Sequence, residues 1–161
     1  MKVTGTWLGQ YTYGPGYGSI AGMSVPFTMS LTESWLRKVS GYVRDDARHG
    51  GMPERGRILG DRSKAQLEFT KTMPKSYQMD GNKHLVDLRE VVQRDHGVEL
   101  PAELPPHRIR YTGALAEDGM SIAGQWQILP WSVSTGTGQV GGAGGRGTWT
   151  AKRVADQPSE V

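Results

Sequence analysis

The feature that most constrains the fold is a step of glycine, any residue and tryptophan that occurs near both ends of the chain. It opens the stretch of residues 5–13 and returns at residues 124–126 and 147–149. In the first stretch every second residue is a glycine or an aromatic residue: Gly5, Trp7, Gly9, Tyr11 and Tyr13. This is the period of a β-strand. First and last strands of the same kind predict a sheet that closes on itself, with these two strands as neighbours.

Alternation of apolar and polar residues predicts seven more strands, separated by turn-forming residues at intervals of roughly ten residues. These strands are expected at residues 25–34, 36–44, 57–61, 65–72, 107–116, 120–129 and 147–154. Short connections favour an antiparallel order in which neighbours in sequence are neighbours in space. We therefore predict an all-β fold, an up-and-down antiparallel β-barrel of about 8–10 strands, with an open antiparallel β-sandwich as the alternative.

One segment departs from the strand pattern. Apolar residues recur there at helical spacing, at Leu85, Leu88, Val91 and Val92. Asn82 before them is a favourable N-cap, and Gly97 after them is a typical helix stop. The sequence therefore predicts one inserted helix at residues 83–96, with a strand over residues 84–93 as the alternative.

Two segments near the end of the chain have little regular pattern. Residues 130–146 are rich in glycine, most densely at residues 136–147, and are expected to be disordered or to form a mobile flap. Residues 155–161 are polar and are expected to form a flexible C-terminal tail. The 161-residue chain is therefore predicted to form one barrel domain over residues 1–154, with the helix as an insertion.

Composition disfavours several classes of function. The chain has no cysteine, so it forms no disulfide and offers no thiolate to a metal or a substrate. Its formal net charge of +3 is spread among acidic residues, which disfavours a nucleic-acid-binding surface. No apolar run is long enough for a membrane span, and residues 1–4 leave no room for a signal peptide. We expect a cytoplasmic protein that is a monomer or a homodimer.

No catalytic or metal-binding motif stands out from the sequence. The polar segment of residues 45–56 contains four side chains with potential metal ligands: Asp45, Asp46, His49 and Glu54. Their spacing matches no metal-binding loop, and acidic residues in turns usually bond to their own backbone. We predict a turn between strands with no metal, and no cofactor elsewhere. The four histidines are scattered, and His107, which follows two prolines, is expected to be exposed.

The first strand carries Trp7, and the last strand carries Lys152 and Arg153. A first-strand tryptophan covered by a cation from the last strand resembles the calycin superfamily, which contains the lipocalins, the fatty-acid-binding proteins and the avidins. Arg153 is the preferred partner of Trp7, because it is in phase with Trp149. A guanidinium on an indole face would close one end of the barrel. The resemblance implies a barrel that binds a small apolar molecule.

If Trp7 points into the barrel, phase within each strand places six further side chains inside it. They are Tyr11, Tyr13, Phe69, Lys71, Tyr111 and Trp126. These residues form the predicted ligand-binding site. Aromatic walls with one or two cations suit a small, mostly apolar ligand, including one that carries an acidic group. The alternative is that the same rings fill the core and leave no cavity.

Three functions are compatible with such a barrel. The first is a lipocalin-like protein that binds this ligand. The second is a protein-interaction module with a filled barrel and an exposed apolar patch that includes Trp35 and Trp131. The third is a barrel enzyme of the cyclase, isomerase or decarboxylase type, with Lys71 as its buried titratable group. Binding ranks first, interaction second and catalysis third.

Overall fold

The computed structural model describes residues 1–142 and 144–161. Eight strands form one closed antiparallel barrel, in the ring order first, second, third, fourth, fifth, eighth, ninth and twelfth. This confirms the predicted all-β barrel with one helix. The elements are β1 (Gly5–Tyr13), β2 (Ser24–Glu33), β3 (Lys38–Asp45), β4 (Gly56–Ser63), β5 (Gln66–Met73), β6 (Tyr77–Met79), β7 (Leu85–Asp87), α1 (Leu88–His96), β8 (His107–Leu115), β9 (Ser121–Ile128), β10 (Trp131–Thr135), β11 (Gly138–Gly142) and β12 (Arg146–Ala155).

The first and last barrel strands close the sheet, as the repeated glycine and tryptophan step predicts. β1 pairs with β2 on one side and with β12 on the other, both antiparallel. Trp7 lies opposite Arg153 in the pairing with β12. At the end of β12, the Thr6 hydroxyl donates a hydrogen bond of 2.8 Å to the backbone carbonyl of Gln157.

The two ends of the barrel differ in the length of their connections. At one end the strands are joined by the short turns 34–37, 64–65 and 116–120. At the other end the connections are long and span residues 14–23, 46–55, 74–106 and 129–145. We call these the closed end and the open end. The long connections can cover an opening at the open end.

The inserted helix starts five residues later than predicted. α1 begins at Leu88, and the Asp87 carboxylate caps it by accepting the backbone N–H of Arg89 at 2.9 Å. The residues before it form β7, which pairs with β6 in a short hairpin. Asn82 lies in the turn of that hairpin, where its N–H is bound by Asp80, so it cannot serve as the N-cap. The predicted stop at Gly97 is confirmed by its left-handed φ of 62°.

The glycine-rich segment is more ordered than predicted. β10 and β11 pair antiparallel within it, and Val133 lies opposite Val140. This hairpin replaces the expected disordered loop or flap over the described part of residues 130–146. Backbone pairing between the two strands supplies the order that the glycines do not. Ala143 lies outside the described residues.

The glycines of the barrel interior make room for large rings. A Cβ at Gly113 would lie 2.8 Å from Cζ2 of Trp149 and 2.9 Å from Cγ2 of Ile122, both of which are buried. The Trp149 indole is held in place because its Nε1 donates to the Thr112 carbonyl at 3.0 Å. Gly147, in the last glycine–tryptophan step, does the same for another ring, since a Cβ there would lie 2.6 Å from Cζ2 of Trp126. Small residues on the barrel wall thus leave space for large ones.

We expect Gly113→Ala to lower the free energy of unfolding by about 1–3 kcal/mol, because the added methyl group overpacks the core against Trp149. Urea denaturation of the purified protein measures this change. Gly136→Ala is the matched control, since a Cβ at Gly136 meets no atom within 4 Å. Equal stability of the two variants would contradict this packing.

The closed end is sealed by side chains and by the N-terminal segment. The Trp7 indole is fully buried, and its Nε1 donates to the Val3 carbonyl at 2.9 Å. The Arg153 guanidinium lies 5.0 Å from the centroid of the Trp7 ring. Beside them, Glu33 accepts the Val3 N–H at 2.8 Å and the guanidinium of Arg62 at 2.7 Å. These contacts close this end of the barrel.

In the part of the chain that the structure describes, no helix has the length and apolar character needed to cross a membrane.

Candidate functional site

A cavity of about 480 Å³ lies inside the barrel at the open end. Its walls come from barrel strands, and its cover comes from the connection of residues 14–23 and from the β6–β7 hairpin. Most of the lining is aromatic or apolar. The aromatic residues that line it are Tyr11, Tyr13, Tyr17, Tyr77, Tyr111 and Trp126, and the aliphatic ones are Ile20, Met52, Met79, Leu85, Ile109 and Ile128.

The structure brings five of the six predicted ligand-binding residues to this cavity: Tyr11, Tyr13, Lys71, Tyr111 and Trp126. Phe69 is on the same face of β5 but lies deeper. Its ring stacks on that of Tyr111, with centroids 5.0 Å apart and an interplanar angle of 6°. It also meets the Trp149 ring edge-on at 5.6 Å. Phe69 therefore forms part of the core beneath the cavity.

Trp126 is the centre of the aromatic wall. The rings of Tyr11, Tyr13 and Tyr17 lie around it, with centroids 5.9–6.0 Å from the Trp126 ring. The indole Nε1 donates to the backbone carbonyls of Thr12 and Thr148, at 3.2 and 3.1 Å. These bonds hold the indole between β1 and β12. The wall is therefore a fixed surface of ring faces and edges, the kind that packs against flat apolar molecules.

Lys71 is buried in the cavity wall and is paired with a carboxylate. Its ammonium donates to both oxygens of Asp45 at 2.7 Å, and the two side chains are 2% and 0% exposed. The predicted position of Asp45 in a polar turn is wrong. β3 extends to Asp45, which is in phase with the buried Val43. A Cβ at Gly56 would crowd the Lys71 side chain, so this glycine leaves room for the contact.

His107 is the second polar group in the wall, and its predicted exposure is wrong. It is the first residue of β8, in phase with Ile109, and is 7% exposed. Burial and the nearby Lys71 charge lower the pKa of the imidazole to about 4. The ring is therefore neutral at pH 7. The two prolines that precede His107 end the insertion but do not prevent the strand from starting inside the barrel.

The tyrosines of the cavity are uncharged at neutral pH. Burial raises the pKa of Tyr11, Tyr13 and Tyr111 above the ordinary value of 10, and it raises that of Tyr17 to about 12. Each therefore keeps its hydroxyl proton and can both donate and accept a hydrogen bond. The site offers neutral hydroxyls rather than phenolate charges.

Two acidic residues of the open end already have polar partners. The carboxylate of Asp46 accepts the Arg48 N–H at 3.0 Å and contacts Nδ1 of His49 at 2.7 Å. The Tyr77 hydroxyl donates a hydrogen bond of 2.5 Å to Oε1 of Glu54. Together with burial, this bond raises the pKa of Tyr77. Among the described residues, no three metal-binding side chains lie close enough to hold an ion.

A second cavity of about 750 Å³ adjoins the first at the open end. Tyr17, Tyr77 and His107 line both cavities, so they form the boundary between them. Trp131 lines the outer one, whereas Trp35 is 85% exposed in the turn between β2 and β3 at the closed end. The two tryptophans proposed as one patch therefore lie at opposite ends of the barrel.

Comparison with known proteins gives no match to this chain among protein-family models, curated proteins or solved structures.

Proposed function

We propose that this protein binds a small, mostly apolar and uncharged molecule in the barrel cavity. The observation that carries the proposal is the cavity of about 480 Å³, walled by aromatic rings and closed at the opposite end of the barrel. Its volume is within the range of small-molecule sites, and an apolar lining with a few polar groups is typical of them. The long connections at the open end provide an entrance that can be covered.

The balance of charge favours an uncharged ligand over an acidic one. A ligand with an acidic group was expected because Lys71 would present its positive charge to it. The Lys71 ammonium instead donates hydrogen bonds to both carboxylate oxygens of Asp45. Among the described residues that line this cavity, the only charged one besides Lys71 is Asp80, which is negative. Arg153 is at the closed end, away from the cavity. A carboxylate ligand would therefore lose its hydration without gaining an unpaired cation.

A relationship to the calycins is part of this proposal. The closed eight-stranded antiparallel barrel is compatible with a calycin-like fold. The contact of Arg153 with Trp7 at 5.0 Å supports the resemblance drawn from the two end strands. Two alternatives have less support. The interaction module requires a filled barrel, whereas this barrel contains a cavity. The enzyme requires Lys71 as its titratable group, whereas the charge of Lys71 is compensated by Asp45.

The proposal is tested with N-phenyl-1-naphthylamine, an uncharged probe whose fluorescence increases in apolar surroundings. We expect saturable binding of one probe per chain. Met52→Trp should weaken it by about tenfold or more, because the larger side chain enters the cavity that Met52 lines.

Met120→Trp is the matched control for this titration, since Met120 is 48% exposed and is not part of the cavity. It should bind the probe as the unmodified protein does. The proposal is wrong if the unmodified protein shows no saturable binding, or if Met52→Trp and Met120→Trp bind the probe equally well.

A further inference from the structure

His107 is a buried polar side chain that faces open space on two sides. It is 7% exposed and lines both cavities at the open end. It is surrounded by the apolar wall and the nearby Lys71 charge. Its ring nitrogens are not among the enclosed atoms that lack a partner, because they face the space of the cavities, where water or a ligand can hydrogen-bond to them. An imidazole in this position can fix the orientation of a molecule that displaces the water.

We infer that the ligand is an uncharged hydroxylated aromatic molecule and that His107 is the residue that fixes its orientation by hydrogen bonding to the hydroxyl group. This inference rests on the proposed binding function and specifies its ligand.

The hydroxyl group follows from the chemistry of a neutral imidazole. One ring nitrogen donates a hydrogen bond and the other accepts one, and a hydroxyl can satisfy either. A purely apolar ligand would remove water from His107 and leave the ring unpaired in the cavity. Leaving a buried polar group unpaired is unfavourable, so the site discriminates against ligands that lack a matching group.

The aromatic character follows from the rings around Trp126 on β9, the strand that pairs with β8 and therefore lies beside His107. The Trp126 ring is tilted by 49° relative to the Tyr17 ring, and the Tyr13 ring meets it edge-on. Faces and edges of aromatic rings make their best contacts with other flat rings in stacked or edge-on arrangements. A planar molecule that packs on these rings can place a hydroxyl at the boundary of the two cavities, where His107 lies.

The absence of charge follows from the groups around His107. The charged side chains among the described residues that line the two cavities are Lys71, Asp80 and Arg146. Lys71 is compensated by Asp45, and Arg146 lines only the outer cavity. An ionised ligand bound in the inner cavity would therefore meet no free opposite charge beside the imidazole.

Three probes of similar shape test the inference by isothermal titration calorimetry. 2-Naphthol carries the hydroxyl, 2-methoxynaphthalene lacks its proton, and 2-naphthoate is an anion. We expect the unmodified protein to bind 2-naphthol about 3- to 10-fold more tightly than 2-methoxynaphthalene, the ratio that one net hydrogen bond gives. 2-Naphthoate should bind most weakly of the three.

Variants of His107 connect the preference to this residue. His107→Phe should abolish the preference for 2-naphthol over 2-methoxynaphthalene while still binding both, because the ring remains but the nitrogens are lost. His107→Gln should restore part of the preference, since its amide can donate and accept. His96→Phe, at an exposed position on α1, is the control and should leave all three affinities unchanged.

The pH profile provides a readout that altered packing alone would not change. The preference for 2-naphthol should be constant between about pH 8 and pH 6 and should decrease toward pH 4, where the imidazole takes up a proton. The other charged or titratable groups around the two cavities are Lys71 with its partner Asp45, Asp80, Arg146 and the cavity tyrosines. Burial raises the pKa of Tyr11, Tyr13, Tyr17 and Tyr111, so these hydroxyls stay neutral throughout this range.

The outcomes separate this inference from the binding function itself. If 2-naphthol and 2-methoxynaphthalene bind equally well and His107→Phe changes neither, the cavity binds ligands but His107 does not orient them, and the inference is overturned. Tightest binding of 2-naphthoate would overturn the choice of an uncharged ligand. If none of the three probes binds, and N-phenyl-1-naphthylamine also fails to bind, the proposed function is wrong as well.

Discussion

Lys71→Met is expected to lower the free energy of unfolding by about 3–5 kcal/mol. The substitution keeps most of the side-chain volume but removes the ammonium that donates to both oxygens of Asp45. The Asp45 side chain is 0% exposed, so its carboxylate would remain buried without a compensating charge. Removing one partner of a buried ion pair typically has an effect of this size. Urea denaturation at pH 7 measures it.

The double variant Asp45→Leu/Lys71→Met separates this effect from a general loss of packing. Replacing both charges with apolar groups removes the desolvated carboxylate, so the double variant should recover most of the lost stability. A Lys71→Met protein as stable as the unmodified one would contradict the buried pair. So would a double variant no more stable than the single one.

Arg62→Met should have an effect of similar size at the closed end. Arg62 donates to both oxygens of Glu33, from Nε at 3.0 and 2.9 Å, and Nη2 also donates to the Met1 carbonyl at 2.6 Å. The Arg62 and Glu33 side chains are 8% and 2% exposed. We expect a loss of about 3–5 kcal/mol at pH 7, because the Glu33 carboxylate is left buried without its cation.

The size of this loss should depend on pH. Burial alone would raise the pKa of Glu33, but hydrogen bonds from Arg62 and from the Val3 N–H outweigh it and lower that pKa from 4.5. The pair therefore contributes fully above about pH 4.5, and its contribution falls as the pH decreases through the lowered pKa. The difference in stability between the unmodified protein and Arg62→Met should be smaller at pH 3 than at pH 7.

Arg110→Met is the matched control for this experiment. Arg110 also pairs with a glutamate, Glu68, but both side chains are more than half exposed. Exposed pairs contribute at most about 1 kcal/mol, so this variant should be nearly as stable as the unmodified protein. Equal losses in Arg62→Met and Arg110→Met would show that burial of Glu33 has no energetic consequence, contrary to the structure.

The barrel was predictable because its strands follow a simple rule. Side chains alternate between the interior and the solvent, so phase from Trp7 places Tyr11 and Tyr13 correctly, and phase within β5 and β8 does the same for Lys71 and Tyr111. The first and last strands carry the same glycine–x–tryptophan pattern, which indicates that both face one interior and lie side by side in a closed sheet. Prediction was weaker where two periods fit the same residues, as at the start of α1.

Asp45 and His107 were missed although the signal was present in the sequence. Continuing the alternation of β3 by one step places Asp45 on the face of Val43, and the alternation of the predicted strand at residues 107–116 already places His107 on the face of Ile109. The polar neighbours of Asp45 favour a turn instead, and the two prolines before His107 favour exposure. Polar residues at the inner ends of strands are tolerated when a partner or a cavity receives them.

The cover of the cavity had no sequence signal of this kind. Tyr17 and Ile20 come from a short 3₁₀ helix, Pro15–Ile20, and Met52 comes from a loop. In neither place does the strand period relate a residue to the barrel interior. Their positions depend on tertiary contacts, such as the packing of the Tyr17 ring on the Tyr13 ring at 4.7 Å. The cavity could be predicted from its walls, but its size and its entrance could not.

The most direct test of the central claim is a methyl NMR titration of protein labelled with ¹³C at its methionine methyl groups, with N-phenyl-1-naphthylamine as the probe. Met52 and Met79 line the cavity, whereas Met29 is buried in the core and Met120 is on the surface. We predict that the Met52 and Met79 signals shift and saturate together, while those of Met29 and Met120 do not move. Unchanged Met52 and Met79 signals at saturating probe, or a shift of Met120 alone, would contradict ligand binding inside the barrel.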